Sequence, residues 1–141
     1  MPATTPTPSP AAPDVLPELQ RLTAGLLYRS ESDAPLQVLT CARPAGDLPN
    51  ADFLLALGEP ADAPSRVVSL TSFLRNHTAA TQDPQGQAIA ERYQALQAFM
   101  EQHLGAVQVY RVGSEPRLHA YALGEAADGQ LAGFKTVLTE T

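Results

Sequence analysis

The clearest pattern in the sequence is a helical repeat in its second half. Apolar side chains recur there at i, i+4, i+7, i+11 and i+15, and they are Ile89, Tyr93, Leu96, Met100 and Leu104. This spacing places them on one face of an α-helix. Asp83 and Pro84 form a start signal before the repeat, and Gly105 is a stop signal after it. The pattern predicts a long helix that packs one face on a sheet.

Strand patterns follow the predicted helix. Three apolar segments, separated by turn signals at 113–116 and 128–129, lie at residues 107–112, 118–123 and 131–138. Adjacent strands on such short connections must be antiparallel. Both faces of these strands are apolar, so helices are expected on both sides. The predicted fold class is therefore α+β, a three-layer α/β/α sandwich with a mainly antiparallel central sheet.

The first half of the chain contains shorter elements. Asp14 can cap a helix whose apolar positions Val15, Leu19, Leu22 and Leu26 have helical spacing, and this helix is expected to end near Tyr28. The further predicted elements are a turn at 30–35, a buried strand at 36–41, a helical turn at 51–57, a short helix capped by Ser69 and a loop at 76–87.

Proline divides the chain into a tail and a domain. Six of the thirteen prolines fall within residues 2–17, where they prevent regular hydrogen bonding and favour an extended chain. We expect a disordered proline-rich tail at 1–13 and one folded domain at 14–141. The apolar content of 44% is sufficient for a hydrophobic core in a domain of this length.

The charge of the chain disfavours direct binding of nucleic acid. The formal net charge is -6, and the nine cations are scattered without any run, whereas phosphate binding needs clustered cations. The same charge would attract a basic partner. No stretch approaches the roughly 18 apolar residues of a membrane span, and the start of the chain lacks a basic segment and an apolar core. We expect a cytoplasmic protein without membrane association.

Candidate catalytic residues are few. Cys41 lies within an apolar strand pattern, which is more typical of a buried small hydrophobe than of an activated thiolate. His77, His103 and His119 share no metal-ligand spacing, so we expect no cofactor and no metal site of the chain's own. A hydrolase that uses Cys41 and a histidine remains the alternative to a binding protein.

An acidic turn at residues 30–33 is the strongest candidate for a binding site. Glu31 and Asp33 follow the predicted end of the first helix, where the helix dipole disfavours carboxylates. Placement against a local preference invites a functional explanation. An ordinary solvated turn, in which Ser30, Ser32 and Asp33 hydrogen-bond nearby backbone amides, is the alternative that these residues leave open.

The end of the chain is the second candidate. The last predicted strand runs almost to residue 141, so residues 139–141 are expected to stay close to the fold. The carboxylate and hydroxyl of Thr141 are hard oxygen ligands that suit a Mg²⁺-type ion, including one supplied by another protein.

Four segments in this order resemble the nuclease A inhibitor family. They are GLLYRSESDAP at 25–35, QVYRVG at 108–113, GE at 124–125 with GQLAG at 129–133, and TET at 139–141. The likeness extends over residues 14–141. It implies an α/β/α sandwich that plugs the active site of a DNA/RNA non-specific endonuclease of the His-Me-finger type, without covalent chemistry and without binding nucleic acid itself.

The resemblance also implies the site residues. Thr141 would approach the Mg²⁺ of the nuclease with its carboxylate and hydroxyl, and Glu31 would contribute a carboxylate to the same cleft. Ser32, Asp33 and Glu140 complete the expected partner-binding set, with Asp33 serving mainly the hydrogen bonds of the turn. We expect the free protein to be a monomer. The alternative is a non-inhibitory protein-interaction module of the same fold with another partner.

Overall fold

The computed structural model describes the backbone of residues 11–140 and the side chains of residues 15–140. Within these limits the chain is α+β, with four helices, a two-stranded hairpin and a five-stranded sheet. The predicted fold class is confirmed to this extent. No helix within the described part is long and apolar enough to cross a membrane. Thr141 and residues 1–10 of the predicted tail lie outside the described residues.

Three of the four helices begin at side-chain caps that can be read in the sequence. The helices are α1 (Ala11–Thr23), α2 (Ala51–Ala56), α3 (Leu70–Thr78) and α4 (Pro84–His103). Asn50, Ser69 and Asp83 each accept a hydrogen bond from the amide three residues further on, over 2.8, 3.0 and 2.8 Å. Such bonds satisfy amides that a helix leaves unpaired at its start. The predicted caps at Ser69 and Asp83 are confirmed.

The strands form one hairpin and one antiparallel sheet. They are β1 (Leu27–Arg29), β2 (Asp33–Pro35), β3 (Gln37–Cys41), β4 (Ser65–Val68), β5 (Gly105–Ser114), β6 (Arg117–Glu125) and β7 (Leu131–Thr139). β1 pairs with β2, and the other five lie in the order β3-β7-β6-β5-β4 with every pairing antiparallel. The three strands predicted after the long helix are confirmed as neighbours.

The first helix differs from its prediction at both ends. It begins at Ala11, before Asp14, and it ends at Thr23, well before Tyr28. Gly25 has a φ of 75°, a left-handed conformation that ends helices. Leu26 is buried although it lies beyond the helix, so it continued the apolar pattern and concealed the boundary. The acidic turn consequently lies in a hairpin loop, beyond the last turn of α1, where the helix dipole does not act on Glu31 and Asp33 as predicted.

In the middle of the chain one predicted loop is too long and one strand was not predicted. The loop expected at 76–87 spans only 79–83, because α3 continues to Thr78 and α4 already begins at Pro84. β4 was not predicted, since its residues are mostly exposed at a sheet edge and lack an alternating pattern. On α4, Ile89 is 38% exposed and Ala90 occupies the buried position instead.

Buried side chains form two hydrophobic clusters, and alternate residues of the strands belong to one cluster or the other. The larger cluster contains residues of α1, α3 and α4 together with sheet residues such as Val109 and Phe134. The smaller one joins Phe53 and Leu54 of α2 to Tyr110 and other strand residues. Val109 and Tyr110 are consecutive in β5, and successive strand residues point to opposite faces of a sheet. Both faces of the sheet therefore contribute to the core.

Candidate functional site

The loop of the β1–β2 hairpin lies against the end of β7. The amide of Glu31 donates to the carbonyl oxygen of Thr139 over 3.0 Å. The amide of Thr139 donates to Ser30 Oγ over 2.9 Å, and the hydroxyl oxygens of Ser32 and Thr139 are 2.8 Å apart. These bonds bring the acidic turn beside the last described residues, more than a hundred positions away in the sequence.

Local hydrogen bonds close the hairpin loop. The amide of Ser30 donates to the carbonyl oxygen of Ser32 over 3.0 Å, and Ser30 Oγ donates to the same oxygen over 3.1 Å. Asp33 stands opposite Arg29 in the ladder of the hairpin. The serine hydroxyls make the side-chain hydrogen bonds that close and dock this loop. The loop is consequently attached to β7 and is more than a solvated turn.

Glu140, the residue after Thr139, is held by contacts with residues outside the hairpin loop. The guanidinium of Arg111, which is 18% exposed on β5, forms an ion pair with Glu140 Oε1. The amide of Glu140 donates to the carbonyl oxygen of Pro116 over 2.8 Å. The hairpin loop and the β5–β6 connection thus fix residues 139 and 140 between them.

Aromatic stacking anchors β1 on α3. The ring of Tyr28 lies 4.3 Å from that of Phe73 and 4.2 Å from that of His77, measured between centroids. Burial raises the pKa of Tyr28 to about 12, so its hydroxyl stays protonated and donates to the carbonyl oxygen of Phe73 over 2.8 Å. The strand that leads into the acidic turn is therefore rigidly supported.

His77 makes the second attachment of β1. Its Nε2 accepts a hydrogen bond from the amide of Arg29 over 3.0 Å, which requires an unprotonated Nε2. Burial and the nearby charge of Arg29 lower the pKa of His77, which favours the neutral ring. His77 therefore serves the fold as a hydrogen-bond acceptor.

The structure brings together most of the predicted site residues. Glu31, Ser32 and Asp33 are exposed on the hairpin, and Glu140 lies beside them at the end of β7. Thr141, the remaining predicted site residue, lies outside the described residues. The contacts made by Thr139 and Arg111 could not be predicted from the sequence, because no local pattern indicates pairings between residues so far apart in the chain.

Three of the candidate catalytic residues, Cys41, His77 and His119, take part in the packing and hydrogen bonding of the fold. Burial raises the pKa of the Cys41 thiol, which disfavours the reactive thiolate. His77 accepts the hydrogen bond from the amide of Arg29, and His119 pairs with the carboxylate of Glu59. Within residues 15–140 no group of three or more His, Cys, Asp or Glu could hold a metal ion.

A largely buried carboxylate that the sequence did not reveal lies in the segment that follows α2. Glu59, whose side chain is 10% exposed, lies 2.5 Å from His119 Nδ1 and accepts a hydrogen bond from the hydroxyl of Tyr121. Burial opposes ionisation of Glu59, but the hydrogen bonds from Tyr121 and His119 outweigh it and lower the pKa of the carboxyl. This cluster ties the segment after α2 to β6.

The Glu59 cluster predicts an acid-dependent stability. Because the pKa of Glu59 is lower in the folded than in the unfolded chain, its contribution is present at neutral pH and lost as the pH falls through the folded pKa. Replacing Glu59→Gln should cost about 1–3 kcal/mol of unfolding free energy at pH 7. Urea unfolding at pH 7 and pH 3 should show that this cost shrinks in acid. An equal cost at both values would contradict the assignment.

The docking of the hairpin loop predicts a local effect at Thr139. Thr139→Val removes the hydroxyl that meets Ser32 and keeps the shape of a strand residue. We expect a loss of about 1 kcal/mol in unfolding free energy and faster hydrogen exchange of the Glu31 amide. The matched control is Thr40→Val on the exposed edge strand β3. Exchange at Glu31 that responds equally to both substitutions would refute the docking role.

Comparison with known proteins adds one finding to this geometry. The family model described as nuclease A inhibitor-like protein matches residues 13–141. The match includes the hairpin loop, the sheet and the end of β7. A search of curated proteins finds no match for the chain.

Proposed function

This chain belongs to the nuclease A inhibitor-like family, and on that premise we propose that it binds a nuclease and blocks its active site. The proposed partner is a DNA/RNA non-specific endonuclease of the His-Me-finger type, and the block is by occupancy. The family match over residues 13–141 is the observation that carries the proposal. An inhibitor of this kind needs no catalytic centre, cofactor or metal of its own.

The docked hairpin loop supports a role for Glu31 in binding. Affinity improves when the contacting groups are already held in place, because less conformational entropy is lost on binding. The loop that carries Glu31 is fixed to Thr139 by hydrogen bonds at each of its three residues. We propose that the carboxylate of Glu31 enters the nuclease cleft in place of a phosphate oxygen.

The end of the chain is proposed to act beside Glu31. Thr141 follows directly on Glu140, whose position is fixed by Arg111 and Pro116. In the proposal, the carboxylate and hydroxyl of Thr141 approach the Mg²⁺ of the nuclease, directly or through water. Ser32, Asp33 and Glu140 would contact the rim of the cleft.

The charge of the chain supports this partner. A cleft that binds DNA and RNA must be cationic, and a chain of net charge -6 would be drawn to it at long range.

The α/β/α layering of the family is also part of the proposal. It is supported by the two core clusters, one built with α1, α3 and α4 and the other with α2.

Competition for the nuclease tests the proposal. A purified His-Me-finger endonuclease from the same organism is mixed with a fluorescent non-cleavable DNA, and this protein is then added. We expect the DNA to be displaced with a 1:1 stoichiometry, because both ligands require the same cleft. A ternary complex of nuclease, DNA and this protein would contradict blocking by occupancy. Failure to bind any nuclease would favour an interaction module with another partner.

A further inference from the structure

A pocket of about 510 Å³ lies beside β1, the strand that leads into the acidic turn. Its walls come from β1, from residues 76–83 and from the first half of α4, and the side chains that matter here are Leu27, Arg29, His77, Asp83, Ile89 and Arg92. This volume falls within the usual range of roughly 300–1,000 Å³ for ligand pockets. Arg29 lines the pocket and immediately precedes Ser30, so the pocket is within reach of a partner that covers the turn.

Exposed apolar side chains line the pocket. Four large hydrophobic residues are exposed among the described residues, and two of them, Leu27 at 44% and Ile89 at 38%, lie in these walls. Exposed apolar side chains that line the same pocket favour a surface that meets a partner. Exposure of the pocket to water does not explain why Leu27 and Ile89 both lie in its walls.

The charge of the pocket opposes that of the whole chain. Two arginines and one aspartate line it, whereas the chain carries a net charge of -6. Arg92 donates to the carbonyl oxygens of Leu22 and Ala24 over 3.2 and 2.7 Å, so it is engaged at the end of α1. Asp83 is likewise engaged in capping α4. Arg29 is an exposed residue that stands opposite Asp33 in the hairpin, and it is the lining arginine suited to receive an anion from a partner.

We propose that this pocket binds an acidic side chain of the nuclease, with its carboxylate on Arg29 and its methylene groups between Leu27 and Ile89. The inference rests on the proposed function, which it extends from the anionic turn to a cationic pocket beside it. The carboxylate would form a charge-assisted pair with the guanidinium, whose planar fork matches the two carboxylate oxygens. Two contacts of opposite sign side by side would fix the orientation of the inhibitor on the nuclease.

Two arginine substitutions test this inference, because losing the proposed contact weakens binding whereas lowering the net charge strengthens it. Arg29→Gln and Arg75→Gln both make the protein more acidic, which should strengthen long-range attraction to a cationic cleft. Arg75 is exposed on α3 and lies outside the pocket walls. We expect Arg29→Gln to weaken binding to the endonuclease at least about tenfold, whereas Arg75→Gln leaves the affinity unchanged or tighter.

A second variant covers the case in which Arg29→Gln disturbs folding, which thermal unfolding would reveal. Ile89→Asp places a like charge beside the incoming carboxylate on an exposed helical position, and it too should weaken binding about tenfold. If both pocket variants bind as tightly as Arg75→Gln while Glu31→Gln binds weakly, the pocket inference is wrong and the proposed function stands. If the wild-type protein does not bind the endonuclease, both are wrong.

Discussion

We expect the Glu31→Gln variant to bind its nuclease about thirtyfold more weakly than the wild-type protein, a loss of about 2 kcal/mol. The substitution keeps the size of the side chain and removes the charge proposed to replace a phosphate oxygen. The backbone bond from Glu31 to Thr139 does not depend on the side chain, so the loop should stay docked. Calorimetric titration of the endonuclease gives the two dissociation constants directly.

Two controls separate this effect from a general change in charge. Glu101→Gln makes the same chemical change on the exposed surface of α4 and should leave the affinity within about twofold of wild type. Deletion of Thr141 should weaken binding by a similar factor to Glu31→Gln, since both groups are proposed for one cleft. Inhibition that is unchanged by both Glu31→Gln and the deletion would refute the site assignment.

The largest loss of stability is expected from Gly133→Ala. A Cβ atom built at Gly133 on β7 would lie 1.8 Å from the carbonyl oxygen of Ala122 on the neighbouring strand. Backbone must move to relieve such an overlap, in a sheet region where Ala122 is fully buried. We expect the unfolding free energy to fall by at least about 3 kcal/mol, measured by urea denaturation.

Gly105→Ala is the matched control for this prediction. A Cβ atom at Gly105 would meet its nearest neighbour, the carbonyl oxygen of Glu125, at an ordinary contact distance of 3.9 Å. Its substitution should therefore change the unfolding free energy by less than about 1 kcal/mol. Equal effects at the two glycines would show that the close approach of β6 and β7 does not exist in solution.

Elements with local signals were predicted well from the sequence. α4 has a cap at Asp83 and a repeat of apolar residues, and both signals act within a few residues; the helix ends at His103, where Leu104 is already extended and Gly105 opens β5. β4 has no such signal, because it is an exposed edge strand whose pairing with β5 is decided by tertiary contacts. The end of α1 was misplaced since Leu26 is buried by the same core as the helix.

The candidate site likewise combines a feature that the sequence reveals with contacts that it does not reveal. The acidic turn stands out in the sequence, although the helix-dipole argument that first singled it out is wrong. Its docking on Thr139, the ion pair between Arg111 and Glu140 and the contact of Glu59 with His119 each join residues that are far apart in the chain. Such pairs depend on the register of the sheet, which a single sequence does not reveal.

Titration of nuclease activity tests the central claim most directly. Increasing amounts of the protein are added to a fixed concentration of the His-Me-finger endonuclease, and cleavage of DNA and of RNA is measured in parallel. Blocking of one active site predicts that both activities fall together and reach their minimum at one equivalent of inhibitor. Undiminished cleavage at saturating protein, or loss of only one of the two activities, would contradict the account.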